Sequence, residues 1–348
     1  MPVIWLLDAY RAGERGQVRA LADALGWPCE IKALSYRSLV FWPHLFHQAS
    51  LAGVTATARE LLRPPWPDLV ISSGVRNEPV CRWIRQQSGG KTRYVHIGRP
   101  WAPPELFDLV ISTPQYRVPQ HPRVLNNLLT LHSVTPETLA TARAKWQERF
   151  RDLPGPYFGV LTGGDSGPFT LGPKAAARLG RDASVLARAH GGSLLISTSS
   201  RTSAAASAAL ADAVSVPHYL YRWRPADGDN PYLGILAVAD RLIVTADSIA
   251  MLSEACATGK PVSMFDLGGM RRGMEVEQRD FRLGGWLYQF MMDFLWQPLS
   301  RDITRVHAQL RAAGRATWMD DMMSVARVPR ETDLQRAVEA VRALFGET

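Results

Sequence analysis

The segment TADSIAMLSEACATGKP, at residues 245–261, has the side chains best suited to contacting a nucleotide. A carboxylate accepts two hydrogen bonds from vicinal hydroxyls, so Glu254 is a candidate ligand for a ribose diol. Ser248 could cap the helix that follows and contact a phosphate there. The alternative interpretation is a set of ordinary helix caps beside a surface glutamate. The residues predicted to bind a donor nucleotide here are Thr245, Asp247, Ser248, Glu254 and Lys260.

A glycine-rich loop, VLTGGDSGPFTLG at residues 160–172, offers a second candidate contact with phosphate. Glycines directly after a buried strand are costly in chain entropy unless the backbone needs unusual angles or a close approach. We therefore favour phosphate cradling by Gly163, Gly164 and Ser166 over a simple turn. Asp165 argues against a pure anion nest and could bond instead to sugar or backbone groups.

Two loops of the first half have residues suited to an anionic or acceptor group. LLDAYRAGERGQ combines glycines and arginines just before a helix, whose N-terminus favours an anion. ISSGVRNEPV places small side chains beside an arginine that could contact phosphate or carboxylate. As alternatives, the first could be a plain strand-to-helix loop, and Ser73 could simply cap a helix. The predicted acceptor-side or phosphate-side residues are Arg11, Gly13, Gln17, Ser73, Gly74, Arg76 and Arg99.

Alternating strand and helix patterns must position these loops. Five short apolar runs in each half predict buried strands with helices between them, which is the pattern of a parallel α/β sheet. Ligands of such sheets bind beyond the carboxyl ends of the strands, where all four candidate segments lie. The predicted strands are residues 3–7, 29–34, 68–72, 93–97 and 108–112, then 157–162, 193–197, 218–223, 241–245 and 261–265.

A proline–glycine stretch, DLPGP at residues 152–156, follows a predicted helix and marks the expected domain boundary. The 348 residues are enough for two domains of about 150 residues each. We expect an N-terminal α/β domain at 1–152, a C-terminal α/β domain at 157–275, and C-terminal helices at 276–348 that pack back on the N-terminal domain. The expected fold is GT-B-like α/β, with two doubly wound parallel-sheet (Rossmann-like) domains facing each other across a cleft.

The composition excludes several classes of protein. Hydrophobic residues make up 46% of the chain and charged residues 21%, which is typical of globular and not of disordered proteins. Three cysteines without a CxxC pair argue against a zinc or disulfide framework and favour a reducing compartment. The N-terminus lacks the basic region of a signal peptide, and no apolar run reaches the roughly 20 residues of a membrane span. We expect a cytoplasmic protein that could associate peripherally with the inner face of the membrane.

The net charge of +8 is concentrated in residues 1–150, which hold 18 Lys+Arg against 11 Asp+Glu. Such a field favours an anionic partner, although a solvated surface that only aids solubility is the alternative. The sequence contains no nucleic-acid-binding module, so we expect a membrane surface or a lipid-linked acceptor as the anionic partner and no nucleic acid.

GGWLYQFMMDFLW, at residues 284–296, predicts an apolar helix. We favour its burial against the other domain; insertion into a membrane interface, aided by upstream arginines, is the alternative.

Six strings carry a family resemblance. PDLVIS, FDLVIST, LTGGDSG, ISTSSRTS, GDNPYLGILAVAD and VTADSIAMLSEACATGKPV resemble the mitochondrial-fission "elongated mitochondria" family, whose bacterial relatives are catalogued as GT-B glycosyltransferases. The similarity runs from about residue 5 to 265. The resemblance implies the fold and adds Arg201, Asn230 and Tyr232 to the donor-binding residues. The plant member of the family is known to recruit a dynamin-like fission protein to an outer membrane.

A second resemblance concerns the donor half of the lipid-II-forming N-acetylglucosaminyltransferase. The E-x4-G-x-P spacing from Glu254 to Pro261 and the GGDSG loop look like that half. This likeness implies that Glu254 holds the ribose and that residues 163–166 belong to the phosphate or acceptor cleft. The chain departs from the fission family at its opening, which usually reads closer to TDGRAGHENQ, whereas here Asp8 is followed by AYR. This difference weakens any inference from the relatives about the chemistry of the acceptor.

The leading hypothesis is transfer of a sugar from a nucleotide-diphosphate sugar to a membrane-associated or cell-envelope acceptor. Helix N-termini and arginines would stabilise the departing diphosphate, so we expect no metal and no other required cofactor. Asp8 is the first candidate for the base that deprotonates the acceptor hydroxyl, and His96 is the second. Two rival hypotheses are a non-catalytic membrane or protein adaptor on the same fold and a sugar-nucleotide epimerase that needs no acceptor.

Overall fold

The computed structural model describes residues 1–9, 12–37, 42–268, 280–294, 301–321 and 332–346. The chain divides into two compact units, each built on its own six-stranded sheet. Unit 1 contains Met1–Ser133 and Arg330–Thr348, and unit 2 contains Val134–Pro329.

Unit 1 is a parallel α/β sheet with the strand order β2-β1-β3-β4-β5-β6. Its elements are β1 (Ile4–Leu7), α1 (Ala12–Leu25), β2 (Cys29–Lys32), α2 (Trp42–Leu45), α3 (Ala56–Arg59), β3 (Leu69–Ser73), α4 (Glu78–Gln87), β4 (Arg93–Ile97), β5 (Leu109–Ser112), β6 (Val124–Asn126) and α12 (Asp333–Ala343). The five strands predicted for this half are all present, and β6 is an additional edge strand. The strand order reverses between β1 and β3, whose register pairs Ile4 with Leu69.

The core of unit 1 lies on both faces of this sheet. β1 is buried along its whole length, as the continuous apolar run IWLL requires for a parallel strand covered on both sides. On one face, α1 packs over β1 and β3, and α12 packs on α1 through Ala337 and Val341. The last helix of the chain therefore completes the core of the first unit.

Unit 2 repeats this architecture with the strand order β12-β11-β10-β7-β8-β9, again all parallel. Its elements are α5 (Pro136–Phe150), β7 (Tyr157–Leu161), α6 (Pro173–Ala189), β8 (Ser193–Ser197), α7 (Ala204–Ala213), β9 (His218–Tyr221), α8 (Tyr232–Val238), β10 (Arg241–Thr245), α9 (Ile249–Ala257), β11 (Val262–Phe265), α10 (Leu283–Phe294), α11 (Thr304–Ala312) and β12 (Thr317–Trp318). All five strands predicted for this half are present. The strand order reverses between β7 and β10, which makes the carboxyl ends of these two strands the expected binding position of a doubly wound sheet.

Two boundaries differ from the expected domain limits. The division falls at residues 133–134, before α5 and not after it, because α5 packs on α8 of unit 2. Gly234 of α8 lies so close to Trp146 of α5 that a Cβ on the glycine would overlap with the indole. Of the C-terminal helices in the described part of the chain, α12 joins unit 1, while α10 and α11 belong to unit 2. Within the part of the chain described, no helix is long and apolar enough to span a membrane.

Candidate functional site

The loops after β7 and β10 meet at the point where the strand order of unit 2 reverses. The Gly163 amide donates to Thr245 Oγ1 over 2.7 Å, and the Gly164 amide donates to Asp247 Oδ2 over 3.0 Å. These bonds join the two segments that were predicted from the sequence to contact a nucleotide. The bonded residues are 82 positions apart in the first pair and 83 in the second. The two loops meet because they follow β7 and β10, which are paired in parallel in the sheet.

The two glycines are required by packing inside the protein. A Cβ on Gly163 would overlap with the Asp247 carboxylate, and a Cβ on Gly164 would overlap with the backbone carbonyl of Arg201. Both amides are already used by protein side chains. The glycines therefore serve the close approach of Asp247 and Arg201, which differs from the phosphate cradle expected from the sequence.

Asp247 and Arg201 form an ion pair at the centre of this cluster. Arg201 Nη1 lies 2.9 Å from Asp247 Oδ2; the Asp247 side chain is fully buried, whereas the Arg201 side chain is 38% exposed. Burial raises the pKa of Asp247, and the Arg201 guanidinium and the Gly164 amide oppose that rise. Among the described residues, Asp247 Oδ1 has no hydrogen-bond partner. The Arg201 guanidinium is thus held in place by Asp247 while the side chain remains partly exposed.

Helix α9 begins directly beside this pair. Ser248 occupies the N-cap position, but within the described structure its hydroxyl makes no capping hydrogen bond. The first amides of a helix need acceptors from outside it, and the helix dipole adds positive potential there. The predicted cap is absent, so the Ser248 hydroxyl and the N-terminus of α9 form a set of donors suited to an anion.

Glu254 is bonded to Tyr232 at the start of α8. The Tyr232 hydroxyl donates to Glu254 Oε2, and the Tyr232 amide donates to Asn230 Oδ1 over 3.0 Å. Desolvation raises the pKa of Glu254 to about 7. The sequence predicted all three residues as donor ligands, and the structure brings them together. A half-buried carboxyl poised near neutrality can exchange hydrogen bonds with hydroxyl groups.

Asp165 and Ser166 are held by two arginines that sequence reasoning missed. Arg282 Nε lies 3.4 Å from Asp165 Oδ2 and donates through Nη2 to the carbonyl of Gly167, and Arg301 donates to Ser166 Oγ. Both arginines are more than 100 residues from the loop in sequence, so no local pattern could have found them. They add positive charge beside the loop after β7.

Two further contacts of unit 2 satisfy helix ends. Lys260 precedes β11 and therefore lies at the amino edge of the sheet, where its ammonium donates to the carbonyls of Leu236 and Ala237 over 2.6 and 2.7 Å. These contacts stabilise the end of α8. The N-terminus of α6 is capped by Asp280, which accepts from the amides of Lys174 and Ala175. An anion could use this helix end only by displacing Asp280.

Unit 1 has its own cluster where its strand order reverses. The Asp8 carboxylate lies 3.1 Å from Arg15 Nε, and the Asn77 side chain donates to the carbonyls of Asp8 and Ser73. Tyr36 donates to Asn77 over 2.6 Å, which ties the loop after β2 to the same point. Sequence reasoning did not select Asn77 or Tyr36 because neither has a recognisable pattern around it.

The remaining acceptor-side predictions have mixed outcomes. Gly13 and Gln17 lie inside α1, which starts at Ala12, and the Gln17 side chain donates to the Gly13 carbonyl on the helix surface. Gly74 adopts a φ of 81°, which favours glycine, and Ser73 does not cap α4 because a 3-10 turn at Val75–Asn77 intervenes. Arg76 is exposed, Arg99 is half-buried, and Arg11 lies outside the described residues.

His96 belongs to the core of unit 1. It is fully buried, its Nδ1 lies 3.2 Å from the Tyr94 hydroxyl, and its Nε2 lies 3.1 Å from the carbonyl of Arg99. Desolvation lowers its pKa to about 4. A base needs an exposed, unoccupied nitrogen, so this geometry does not suit the role that the sequence suggested for His96. Asp8, the other candidate for the base, lies at the edge of the sheet, and its side chain is 19% exposed.

Comparisons with known proteins agree with this architecture. The family model described as Mitochondrial fission ELM1 matches residues 12–345. The chain is 27% identical over 298 residues to Mitochondrial fission protein ELM1 of Arabidopsis thaliana, covering 77% of this chain and 69% of that protein. It is 25% identical over 316 residues to Uncharacterized protein RP120 of Rickettsia prowazekii (strain Madrid E), covering 79% of this chain and 87% of that protein.

Solved structures share the fold. UDP-GlcNAc 2-epimerase from Neisseria meningitidis, bound to UDP-GlcNAc, is similar over the full length of both chains with a TM-score of 0.50 and 11% sequence identity. At this identity the likeness concerns the fold alone. The GT-B-like class predicted from the sequence, with two doubly wound parallel sheets, is confirmed.

Proposed function

We propose that this chain, which belongs to the Mitochondrial fission ELM1 family, binds a nucleotide-diphosphate sugar at the carboxyl edge of the unit 2 sheet. We further propose that it transfers the sugar to a membrane-associated or cell-envelope acceptor. The observation that carries the proposal is the N-terminus of α9, which has no side-chain cap among the described residues and directly follows the Asp247–Arg201 pair at the reversal of strand order. Doubly wound sheets bind nucleotides at this position.

Each part of the donor has a matching group. The diphosphate would accept hydrogen bonds from the Ser248 hydroxyl and the first amides of α9, with Arg201 supplying charge. The ribose diol would bind Glu254, whose bond to Tyr232 holds the carboxyl in place. A solved structure with a similar fold, UDP-GlcNAc 2-epimerase from Neisseria meningitidis, is bound to UDP-GlcNAc, which supports a uridine nucleotide as the first ligand to test.

In the transfer, the acceptor oxygen forms a bond to the anomeric carbon as the bond from that carbon to the diphosphate oxygen breaks. Negative charge develops on the departing diphosphate, where the N-terminus of α9 and Arg201 would stabilise it. The acceptor hydroxyl gives its proton to a base. Asp8 is our proposed base, because its carboxylate lies at the reversal of strand order in unit 1.

Calorimetric titration with a panel of UDP, GDP and ADP sugars tests the donor site. Ligand at about 100 times its Kd should add about 2.7 kcal/mol to the free energy of unfolding, which a thermal shift also detects. Glu254→Ala should weaken binding about tenfold or more, because the ribose loses its carboxylate partner. Glu148→Ala removes an exposed carboxylate of the same unit, at 70% side-chain exposure, and should bind like the wild type. Equal binding by Glu254→Ala and wild type would refute the donor-site assignment.

A non-catalytic adaptor is the second candidate. The Arabidopsis relative is named for mitochondrial fission and not for sugar transfer, which favours an adaptor on the same fold. Incubation of the protein with a bound nucleotide sugar and a membrane extract separates the two functions. Release of the nucleoside diphosphate, together with transfer of the sugar's label to the extract, supports sugar transfer. Nucleotide binding without release supports the adaptor. Conversion of the sugar in the absence of extract would identify an epimerase.

A further inference from the structure

Three basic side chains of unit 1 bring together buried nitrogen atoms that have no hydrogen-bond partner in the described part of the chain. These atoms are Nδ1 of His44, Nδ1 of His47, and Nε and Nη2 of Arg82. The Arg82 side chain is 9% exposed, and His44 is 8% exposed. A buried donor without an acceptor loses the hydrogen bonds that it made to water, so several in one place need an explanation.

The three side chains lie on two elements that pack against each other. His44 belongs to α2 and His47 follows it, in the connection after β2, whereas Arg82 belongs to α4. Helix α2 packs on α4, and the Ser50 amide donates to the Pro79 carbonyl over 3.1 Å. Desolvation lowers the pKa of both histidines, and the nearby charge of Arg82 lowers it further. The four nitrogen atoms therefore belong to one cluster.

Glu78 occupies only one edge of the Arg82 guanidinium. Arg82 Nη1 donates to Glu78 Oε2 over 3.3 Å, and the same carboxylate accepts the amides of Trp101 and Ala102 over 2.7 and 3.1 Å. The carboxylate is thus held by the loop after β4. The Nε and Nη2 groups of Arg82 form the other edge, a planar fork that matches two oxygens of one phosphate or carboxylate.

The chemistry of the cluster favours an anion over a metal ion or a water molecule. Among the described residues, no group of three His, Cys, Asp or Glu side chains is placed to hold a metal ion, and the Arg82 charge would repel a cation. Desolvation raises the pKa of Glu78 to about 7, so its carboxyl balances the buried guanidinium only in part. A water molecule brings no charge, whereas an oxyanion brings both charge and several acceptor atoms.

We propose that the cluster of His44, His47 and Arg82 is a binding site for a phosphate group. Two oxygens would accept from the Arg82 fork, and the others would accept from Nδ1 of the imidazoles. The connections after β2 and β4 and the start of α4 lie at the carboxyl edge of the unit 1 sheet, where doubly wound sheets bind their ligands. The four nitrogens are enclosed, so the turn at residues 43–48 would have to move to admit the ligand. The inference goes beyond the proposed function and does not depend on nucleotide binding.

Calorimetric titration of the full chain with inorganic phosphate tests the site. Arg82→Lys keeps a positive charge beside Glu78 but lacks the fork, so it should weaken phosphate binding about tenfold or more. The matched control is Arg85→Lys on the same helix, where the arginine pairs with Asp108. This control should bind phosphate within about twofold of wild type. Glycerol phosphate separates the sources of the group: equal or tighter binding indicates a phosphate ester, and weaker binding indicates the free ion.

His44→Phe combined with His47→Asn tests the imidazoles and replaces Arg82→Lys if that variant does not fold. Phe keeps a ring at position 44, and Asn tolerates the φ of 50° at position 47. Sulfate keeps its charge across the neutral range, so its binding reports the titration of the protein. Wild type should bind sulfate more tightly at about pH 6 than at about pH 8, because a bound anion favours the charged imidazoles. Glu78 titrates in the same range, so the double variant should reduce this pH dependence without abolishing it.

Four results would overturn the proposal. They are no phosphate binding by wild type, equal binding by wild type and Arg82→Lys, an equal loss in Arg85→Lys, and tighter binding of acetate than of phosphate. Thermal melting verifies that each variant is folded. The nucleotide response of Arg82→Lys should match that of wild type, which keeps the outcome at this site separate from the outcome at the donor site.

Discussion

The Arg201 guanidinium lies 2.9 Å from the Asp247 carboxylate, at the carboxyl edge of the unit 2 sheet where the strand order reverses. The carboxylate is fully buried and also accepts the Gly164 amide, so the loop after β7, the loop after β8 and the loop after β10 are joined at one point. One oxygen of this buried carboxylate has no hydrogen-bond partner among the described residues, which is costly, and the charge of Arg201 offsets part of that cost. The stability of the unit and the position of its candidate ligand-binding arginine are therefore linked.

Removal of Arg201 should destabilise the protein in a pH-dependent way. Burial raises the pKa of Asp247 in the folded state, and Arg201→Ala should raise it further. A carboxyl with a raised folded-state pKa stabilises at low pH and loses that contribution as pH rises. We expect a loss of about 1 to 3 kcal/mol at about pH 8 and a smaller loss at about pH 5, measured by urea denaturation. In an Asp247→Asn background the loss should shrink, and an undiminished loss there would contradict the coupling.

Gly164→Ala should destabilise the fold, whereas Gly16→Ala should not. A Cβ at Gly164 would overlap with the Arg201 backbone, which cannot move without breaking the contact with Asp247. We expect a cost of about 2 kcal/mol or more in chemical denaturation. Gly16 lies in α1 with open space around it, so Ala should stabilise there by about 0.5 to 1 kcal/mol. Similar losses for both variants would indicate that the overlap is not the cause.

Glu254→Gln should make the protein more stable at alkaline pH. Desolvation raises the pKa of Glu254 from 4.5 to about 7, so its contribution to stability is present below the lower value and lost as pH rises through the upper one. Gln keeps an acceptor for Tyr232 but never ionises. The free energy of unfolding should therefore favour the variant by about 1 to 3 kcal/mol at about pH 8 and converge with wild type near pH 4.5. Parallel pH profiles for the two proteins would exclude a raised pKa.

Lys260→Met should reduce stability without changing nucleotide binding. The ammonium donates to the carbonyls of Leu236 and Ala237 at the end of α8, and its loss leaves them without this partner. We expect about 1 to 2 kcal/mol of destabilisation in urea and an unchanged thermal shift with the nucleotide that binds wild type. A stable variant that no longer responds to nucleotide would instead return Lys260 to the donor site.

Much of the fold follows from local pattern. The ten predicted strands are all present because short runs such as IWLL and RLIVT are buried on both sides, which requires apolar residues without alternation. The helical pattern of α5 was also visible, but its assignment to unit 2 depends on Trp146 packing over Gly234, a contact between distant residues.

The sequence by itself determined that a strand ends at the start of the segment 245–261 and that a turn and a helix follow, since hydrophobic period and glycine spacing are local properties. The family resemblance added Tyr232 to the same predicted site as Glu254, and these side chains are in contact. Only the tertiary structure decided which groups are free to meet a ligand. The Gly163 and Gly164 amides are used by Thr245 and Asp247, and Lys260 lies at the far edge of the sheet. Two groups form a hydrogen bond when the fold brings them close together, and the local sequence around each group does not specify that distance.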